Sequence, residues 1–434
     1  MSIDTGRRTV DGTVERGYEA VRDAFAANFA ERGEVGAACA VYVEGRKVVD
    51  LWGGVADHVT GRPWTEHTIN VIWSATKGSV GALMHLLAQQ GRIDLDRPVA
   101  DYWPEFARNG KQDVTVRMIL SMRAGLPVIE APVTFDDLLA GMPVVASLEG
   151  QAPVWPPGSA HGYHAFTYGF LLGEVVRRVT GRSIGQAFAE EVAAPLGLDF
   201  WIGLPPELEP RVARLIDVDP DDRGELARMP EAFRVPGEAF ASAFRDPSSL
   251  THRVLRPAGS GWENSALNEG TAHQAEWAFG GGICDARSLA RLYAACVDEV
   301  DGVRLLTDAT LGDATAEQAS GRDEVLIYPA TWGSGFMLAN ELESWLGPGS
   351  FGFTGAGGHL GLGHAGLRVG VGYTMTKMFG NLTGDPRPRA VLDALATCLD
   401  ARGPRLSPPW WCGARRARPS CSASPPTGAG CAWR

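Results

Sequence analysis

The stretch Ser74-Ala75-Thr76-Lys77-Gly78 opens a run with helical periodicity and places a hydroxyl three residues before an amine. A lysine can act as a base when burial removes its proton, whereas a guanidinium stays charged. On a helix the two side chains share one face, and the positive end of the helix dipole lies at the serine. The pair therefore predicts an activated nucleophile. The alternative is a serine that only caps the helix and a lysine at its surface. The chain has four lysines, and a serine at this spacing precedes none of the other three, Lys47, Lys111 and Lys377.

Length and charge limit the classes of function. The chain has 434 residues, of which 45% are hydrophobic and 21% charged, enough for one large core or two moderate ones. A formal net charge of -11 disfavours nucleic-acid and anionic-membrane partners and favours a small neutral or cationic ligand. Residues 1–11 are polar, and no run approaches the length of a membrane span. These features predict a soluble, cytoplasmic protein.

The seven cysteines fall into two groups. Cys39, Cys284, Cys296 and Cys398 stand singly in apolar contexts, which predicts reduced core thiols. The other three, Cys412, Cys421 and Cys431, lie after Asp400, where acids are absent and Pro, Arg, Ser and Gly dominate. This composition predicts a disordered tail over 401–434. A zinc knuckle is the alternative, but no Cys-x-x-Cys pair occurs there, so we expect no metal.

Strand patterns lie near both ends of the chain, and helical patterns lie between them. Residues 37–43 and 47–52 predict a β-hairpin, and residues 332–338, 359–364 and 368–375 predict further strands separated by Gly-rich turns. Helices are predicted over 74–90, 168–179, 183–192 and 288–297. We expect an α+β fold whose antiparallel sheet, of about five strands, is flanked by helices. Residues 1–72 and 275–400 would form the sheet domain, and 73–274 a mainly helical insertion, with the active site between them.

Several ordered motifs give the chain a family resemblance over roughly residues 35–400. It resembles the serine β-lactamase and penicillin-binding-protein superfamily, and most closely the family VIII carboxylesterases, which are similar to class C β-lactamases. The motifs that carry the resemblance are Leu51-Trp52-Gly53-Gly54, Ser74-Ala75-Thr76-Lys77-Gly78, Leu95-Asp96-Arg97-Pro98-Val99, Leu120-Ser121 with Ala124-Gly125-Leu126, Pro157-Gly158-Ser159-Ala160-His161-Gly162-Tyr163-His164-Ala165, and Phe351-Gly352-Phe353-Thr354-Gly355-Ala356-Gly357-Gly358.

The resemblance implies roles for the later motifs. Tyr163 would complete a Ser-Lys-Tyr triad, although which of Lys77 and Tyr163 is the formal base stays open. The alternative for Tyr163 is a buried tyrosine whose hydroxyl bonds to the backbone. The backbone N–H groups of Ser74 and Ala356 would form an oxyanion hole. Four residues are expected at the substrate: Phe353, Gly355, His164 and His359.

Two departures from the β-lactamase pattern favour an ester substrate. Phe353 stands where the family has a cation that faces a substrate carboxylate, and Tyr163-His164-Ala165 lacks the asparagine that holds an amide. We therefore expect a carboxylesterase that cleaves small-molecule esters through an acyl-enzyme on Ser74, without a metal or organic cofactor. The alternatives are a β-lactamase, a D-amino-acid peptidase, an acyltransferase with the same triad, and a non-catalytic binding protein. The motifs do not fix the oligomeric state.

Three familiar patterns are interpreted as structural. Gly181-Arg182-Ser183-Ile184-Gly185 matches a nucleophile elbow, but a helix precedes it, and Ser183 with Gln186 predicts a capping box. Residues 361–366 match a dinucleotide fingerprint but lie between two predicted strands. His161 and His164 have no nearby carboxylate or cysteine and are interpreted as pocket or surface residues rather than metal ligands.

Overall fold

The computed structural model describes residues 10–218, 231–380 and 383–401, with the side chains of 231–236 left out. Apart from Ala401, the predicted tail over 401–434 lies outside the described residues. The strands are β1 Val10–Val14, β2 Gly36–Val43, β3 Arg46–Asp57, β4 Arg62–Pro63, β5 Asn70–Val71, β6 Phe200–Ile202, β7 Gly282–Cys284, β8 Ala319–Arg322, β9 Pro329–Trp332, β10 Met337–Leu338, β11 Ser350–Gly355, β12 His359–His364 and β13 Val369–Met375.

In the described ranges, a ten-stranded antiparallel sheet has the order β1-β3-β2-β13-β12-β11-β10-β9-β8, with β4 paired to β3. β2 and β13 are neighbours, and Val41 lies opposite Val371. Both ends of the chain therefore share one sheet, as predicted. β2, β12 and β13 are buried along their whole length, which explains their continuous apolar runs. A separate three-stranded sheet, β5-β7-β6, joins the segment before Ser74 to residues 282–284.

Helices cover both faces of the sheet. Helices also lie in the part of the chain that connects its first strands, β1–β4, to its last strands, β8–β13. They are α1 Glu19–Glu31, α2 Ala75–Gln89, α3 Val116–Leu120, α4 Phe135–Ala140, α5 Met142–Gly150, α6 Thr167–Thr180, α7 Ile184–Phe188, α8 Ala194–Leu196, α9 Glu231–Arg245, α10 Leu250–Leu255, α11 Gly270–Gln274, α12 Ala286–Val297, α13 Asp308–Ala314 and α14 Pro386–Asp400.

The two faces of the sheet are covered by different helices. α12 packs on β2, β12 and β13, and the position of a Cβ at Gly372 would meet the Ala286 carbonyl of α12. The next residue, Tyr373, points to the opposite face, where Asn28 of α1 donates to its hydroxyl over 3.1 Å. α14 packs against α1 on that side. The central strands thus lie between two helical layers, the arrangement expected for an α+β core.

The structure corrects two predictions of extent. The segment 332–338 is not one strand: β9 ends at Trp332, β10 begins at Met337, and Gly333-Ser334-Gly335 makes the turn between them. The sheet also exceeds five strands, because short strands extend it beyond both sides of its long centre. Cys39, Cys284, Cys296 and Cys398 are buried and free, as predicted. The boundaries of the inserted domain stay a prediction.

Candidate active site

Ser74 lies on a constrained turn at the start of α2. Trp73, which precedes it, has a φ of 49°, a backbone conformation that is costly for a bulky residue. Thr76 fixes this turn: its hydroxyl donates to the Trp73 carbonyl over 2.6 Å and accepts from the Gly282 N–H over 2.9 Å. Within the described structure the Ser74 hydroxyl makes no capping bond to α2. The cap alternative is therefore not what the structure shows, and the hydroxyl is left to other partners.

Lys77 is one of those partners. Its Nζ lies 3.1 Å from Ser74 Oγ and donates to the Phe279 carbonyl over 2.5 Å. The side chain is fully buried, and no carboxylate pairs with it in the described ranges. Burial lowers the pKa of Lys77 well below its usual value, because the charged form is poorly solvated there. A neutral amine beside a hydroxyl can accept its proton.

Tyr163 is the second partner of Ser74. The two side-chain oxygens are 2.5 Å apart, and Lys77 Nζ lies 4.8 Å from the centre of the phenol ring. The hydroxyl thus bonds to Ser74 and not to the backbone. Burial raises the pKa of Tyr163, the nearby Asp323 raises it further, and the hydrogen bond with Ser74 opposes both. The phenol therefore keeps its proton at neutral pH.

Two glycines allow α2 and β11 to approach each other closely. A Cβ at Gly78 would overlap the Tyr293 hydroxyl and lie 3.3 Å from the Phe353 Cβ. A Cβ at Gly355 would overlap the Ile72 carbonyl, two residues before Ser74. Any larger residue at Gly355 would push β11 away from the turn that carries the hydroxyl. Ala356, the predicted oxyanion donor, follows directly and is partly buried against the core.

The predicted substrate residues have different surroundings. The ring of Phe353 lies 6.4 Å from that of Tyr163 and 6.0 Å from Lys77 Nζ, so it borders the reacting groups. His164 is fully buried: its Nδ1 donates to the Gly162 carbonyl over 2.7 Å, and its Nε2 accepts the Leu126 N–H over 3.1 Å. Both ring nitrogens of His164 are thus bonded to the backbone.

His359 lies next to Gly355 across the β11–β12 pair. It is 1% exposed, and neither ring nitrogen has a hydrogen-bond partner among the described residues. Burial, with a smaller contribution from the charge of Arg387, lowers the pKa of His359 to about 3. The imidazole is therefore neutral, and a Cβ at Gly355 would lie 2.8 Å from the His359 Cβ.

Three groups at the site have no sequence signal in the motifs. The Phe279 carbonyl holds Lys77, and no side-chain type marks a backbone acceptor. Asp323 accepts the Tyr163 N–H over 3.0 Å, from 160 positions away in the chain. Trp332 stacks on the Tyr163 ring with a centroid distance of 6.1 Å and an angle of 6°.

Two of the familiar patterns lie in regular structure, as interpreted. Ser183 forms a capping box with Gln186 and also donates to Glu276 over 2.7 Å. Residues 361–364 lie inside β12. In the described part of the chain, no three His, Cys, Asp or Glu side chains are grouped as metal ligands. No helix there is long and apolar enough to span a bilayer.

A serine, a buried lysine and a tyrosine, brought together beside an inner strand of an antiparallel sheet, define the class of the β-lactamase and penicillin-binding-protein fold. The chain belongs to the beta-lactamase family, whose model matches residues 21–396. The resemblance and the fold class predicted from the motifs are thereby confirmed.

Similar proteins include named esterases. Esterase/beta-lactamase LipL of Mycobacterium tuberculosis is 34% identical over 369 residues, which are 82% of this chain and 80% of the relative. The crystal structure of a family VIII carboxylesterase is 36% identical with a TM-score of 0.79, covering 90% of this chain and 100% of that one. A penicillin-binding protein homologue from Caulobacter crescentus is 35% identical with a TM-score of 0.78, at the same coverage.

Proposed function

We propose that the protein is a serine carboxylesterase in which Ser74 forms the acyl-enzyme, Lys77 is the general base and Tyr163 donates a proton to the leaving alcohol. The observation that carries this proposal is the fully buried Lys77, whose Nζ lies 3.1 Å from Ser74 Oγ. The names of the similar esterases support the reaction class. An amine that burial keeps neutral is ready to take the serine proton.

Acylation begins when Ser74 Oγ attacks the ester carbonyl and its proton moves to Lys77 Nζ. The new Oγ–C bond forms a tetrahedral oxyanion, which the N–H groups of Ser74 and Ala356 would stabilise. The C–O bond to the alcohol then breaks, and the leaving oxygen takes the Tyr163 proton. The proton held by Lys77 returns to Tyr163, so both groups recover their starting states. The geometry suits this relay because Ser74 contacts both partners.

Deacylation follows the same path in reverse. Water replaces the alcohol, gives its proton through Tyr163 to Lys77, and attacks the acyl carbon. The C–Oγ bond then breaks, and the Ser74 oxygen takes the proton held by Lys77, so all three groups recover their starting states. Water and an alcohol are chemically similar acceptors here, so an acyltransferase remains the nearest alternative. The yield of butyl butyrate from p-nitrophenyl butyrate with added butanol measures the share of transfer directly.

The rings around Ser74 favour an uncharged, apolar acyl or alcohol group. Phe353 occupies the place of a cation, and Trp73 stands T-shaped on Trp262 with a centroid distance of 6.5 Å. Trp262 in turn contacts Phe166 at 5.0 Å. A substrate carboxylate would meet no cation from β11, and its desolvation would be uncompensated. We therefore expect slow or absent turnover of penicillins and of D-alanyl-D-alanine peptides.

Comparing wild type with Ser74→Ala tests the proposal. We expect hydrolysis of p-nitrophenyl butyrate to fall by about a thousandfold or more, and a fluorophosphonate to label the wild type on Ser74 alone. Ser183→Ala is the matched control, because Ser183 lies in the elbow-like sequence but its hydroxyl caps α7 and donates to Glu276. Unchanged activity in Ser74→Ala would refute the nucleophile, and labelling at Ser183 would transfer the role to that residue.

A further inference from the structure

The carboxylate of Asp323 lies behind the proposed proton donor. Asp323 follows β8 and is fully buried. Its Oδ1 accepts three backbone N–H groups, from Tyr163 over 3.0 Å and from Val325 and Leu326 over 2.9 Å each. Its Oδ2 accepts the indole N–H of Trp332 over 3.2 Å. A buried carboxylate needs hydrogen-bond donors, and here each of its two oxygens accepts at least one hydrogen bond.

These bonds hold Tyr163 in two ways. One fixes the backbone of Tyr163 itself. The other fixes Trp332, whose ring lies parallel to the phenol at 6.1 Å and also contacts Phe353 at 5.8 Å. Asp323 therefore ties both the main chain and the ring surroundings of Tyr163 to the β8–β9 segment.

The other side of Tyr163 is held by a different segment. The Gly162 N–H donates to the Met122 carbonyl over 3.0 Å, and the His164 imidazole bridges Gly162 and Leu126. Tyr163 thus sits between two anchored segments, and its hydroxyl reaches Ser74 at 2.5 Å. A misplacement of about 1 Å at such a group can cost a factor of about 100 in rate.

We propose that Asp323 is a positioning residue, whose carboxylate holds the Tyr163 phenol at the Ser74 hydroxyl in the orientation that protonates the leaving alcohol. This proposal rests on the proposed function. The negative charge of Asp323 also favours the protonated phenol, since it raises the pKa of Tyr163 in addition to the effect of burial. Asp323 touches neither substrate nor Ser74; it acts through Tyr163 and Trp332.

The leaving group gives a readout that a purely structural role would not change. p-Nitrophenolate leaves without a proton, whereas ethoxide needs one. Loss of the proton donor should therefore reduce turnover of ethyl butyrate far more than that of p-nitrophenyl butyrate. Tyr163→Phe sets the size of this difference. Asp323→Asn keeps one oxygen for the backbone donors but points an amide N–H₂ at the Trp332 indole, and it removes the charge.

We expect Asp323→Asn to reproduce the pattern of Tyr163→Phe: kcat for ethyl butyrate falls by about 100-fold, kcat for p-nitrophenyl butyrate by about tenfold or less, and KM changes little. Asp285→Asn is the matched control, because Asp285 is a buried aspartate that caps α12. It should lower both rates equally, if at all. Fluorophosphonate titration counts the folded sites in each sample.

Equal losses on the two esters in Asp323→Asn would overturn the proposal. If that variant does not fold, Trp332→Leu replaces it, because it removes the ring that stacks on Tyr163. The same leaving-group difference is expected there, and equal losses would again overturn the proposal. The proposed function fails separately: if Ser74→Ala retains activity or Tyr163→Phe shows no leaving-group difference, the triad itself is wrong.

Discussion

Ser74 Oγ and Tyr163 Oη are 2.5 Å apart, closer than Ser74 Oγ and Lys77 Nζ at 3.1 Å. The shorter contact joins the hydroxyl to a group whose pKa is raised, and the longer one to a group whose pKa is lowered. Each shift has burial as its largest cause, and burial favours the neutral form of both side chains. One hydroxyl thus lies between a phenol and an amine whose neutral forms are both favoured by burial.

The pH dependence of hydrolysis should follow Lys77. Because burial lowers the folded-state pKa of Lys77 well below its usual value, the neutral amine is present above that lowered pKa and is lost as the pH falls through it. We expect kcat/KM for ethyl butyrate to be level near pH 8 and to fall on the acid side, measured by butyrate release. Lys77→Arg should lose about a thousandfold at every pH, since a guanidinium stays charged. A rise that begins only near the ordinary lysine pKa would contradict the neutral amine.

Gly355→Ala should lower kcat strongly and the free energy of unfolding only moderately. The new Cβ would overlap the Ile72 carbonyl and lie 2.8 Å from the His359 Cβ, so the turn before Ser74 must move. We expect kcat to fall by about 100-fold, with about 1–3 kcal/mol lost from the free energy of unfolding. Gly312→Ala in α13 is the control. Its Cβ meets nothing within 4 Å, and we expect a gain of about 0.5–1 kcal/mol with unchanged kcat. A fully active Gly355→Ala variant would show that β11 has room to shift.

Glu343 should make stability depend on pH. Burial raises its pKa from 4.5 to about 7, against hydrogen bonding from the Gly384 N–H. The folded carboxyl releases its proton at a higher pH than the unfolded one. Its contribution to the free energy of unfolding is therefore fully present below pH 4.5 and is lost as the pH rises through about 7. The loss amounts to about 3 kcal/mol. We expect Glu343→Gln to reduce the fall in melting temperature between pH 4.5 and pH 8. An identical fall in both proteins would refute this assignment.

Arg387 should contribute strongly to stability although it lies outside the triad. It is fully buried, pairs with Glu34 and Asp385, and donates to the Gly357 carbonyl over 2.5 Å. Arg387→Met leaves two buried carboxyls without their cation, and we expect a loss of about 3–5 kcal/mol in urea unfolding. Arg304→Met is the control, because the Arg304–Asp308 pair lies at the surface, and it should change stability by less than about 0.5 kcal/mol. Equal effects of the two substitutions would contradict the importance of the buried cluster.

The motifs predicted the site best where the chemistry is local or ordered along the chain. Ser74 and Lys77 are one helical turn apart, and Gly355 follows from the third motif. The sequence could not reveal Asp323, since its partner Tyr163 is 160 positions away and an isolated aspartate has many uses. The substrate contact predicted for His164 stays a prediction; in the structure its two ring nitrogens bond to the backbone of Leu126 and Gly162.

The periodicity of apolar residues predicted the long strands and helices but not the short strands. The hairpin β2–β3, helix α2 and strands β12 and β13 agree with their predicted ranges within a few residues, except that β3 runs on to Asp57. The segment 319–338 contains three strands of two to four residues, too short for an alternating pattern to show. Their place in the sheet depends on tertiary pairing, of β10 with β11, of β9 with β10 and of β8 with β9.

The pairing of Val41 with Val371 has a consequence for synthesis on the ribosome. β2 emerges early, but its central partner is made more than 300 residues later, so one side of β2 stays open while most of the chain is translated. Closing so long a loop makes folding slow, and an open strand edge invites pairing with other chains. A nascent chain that stops before β13 should therefore depend on chaperones, and a fragment ending there should be insoluble and inactive even though it already contains Ser74, Lys77 and Tyr163.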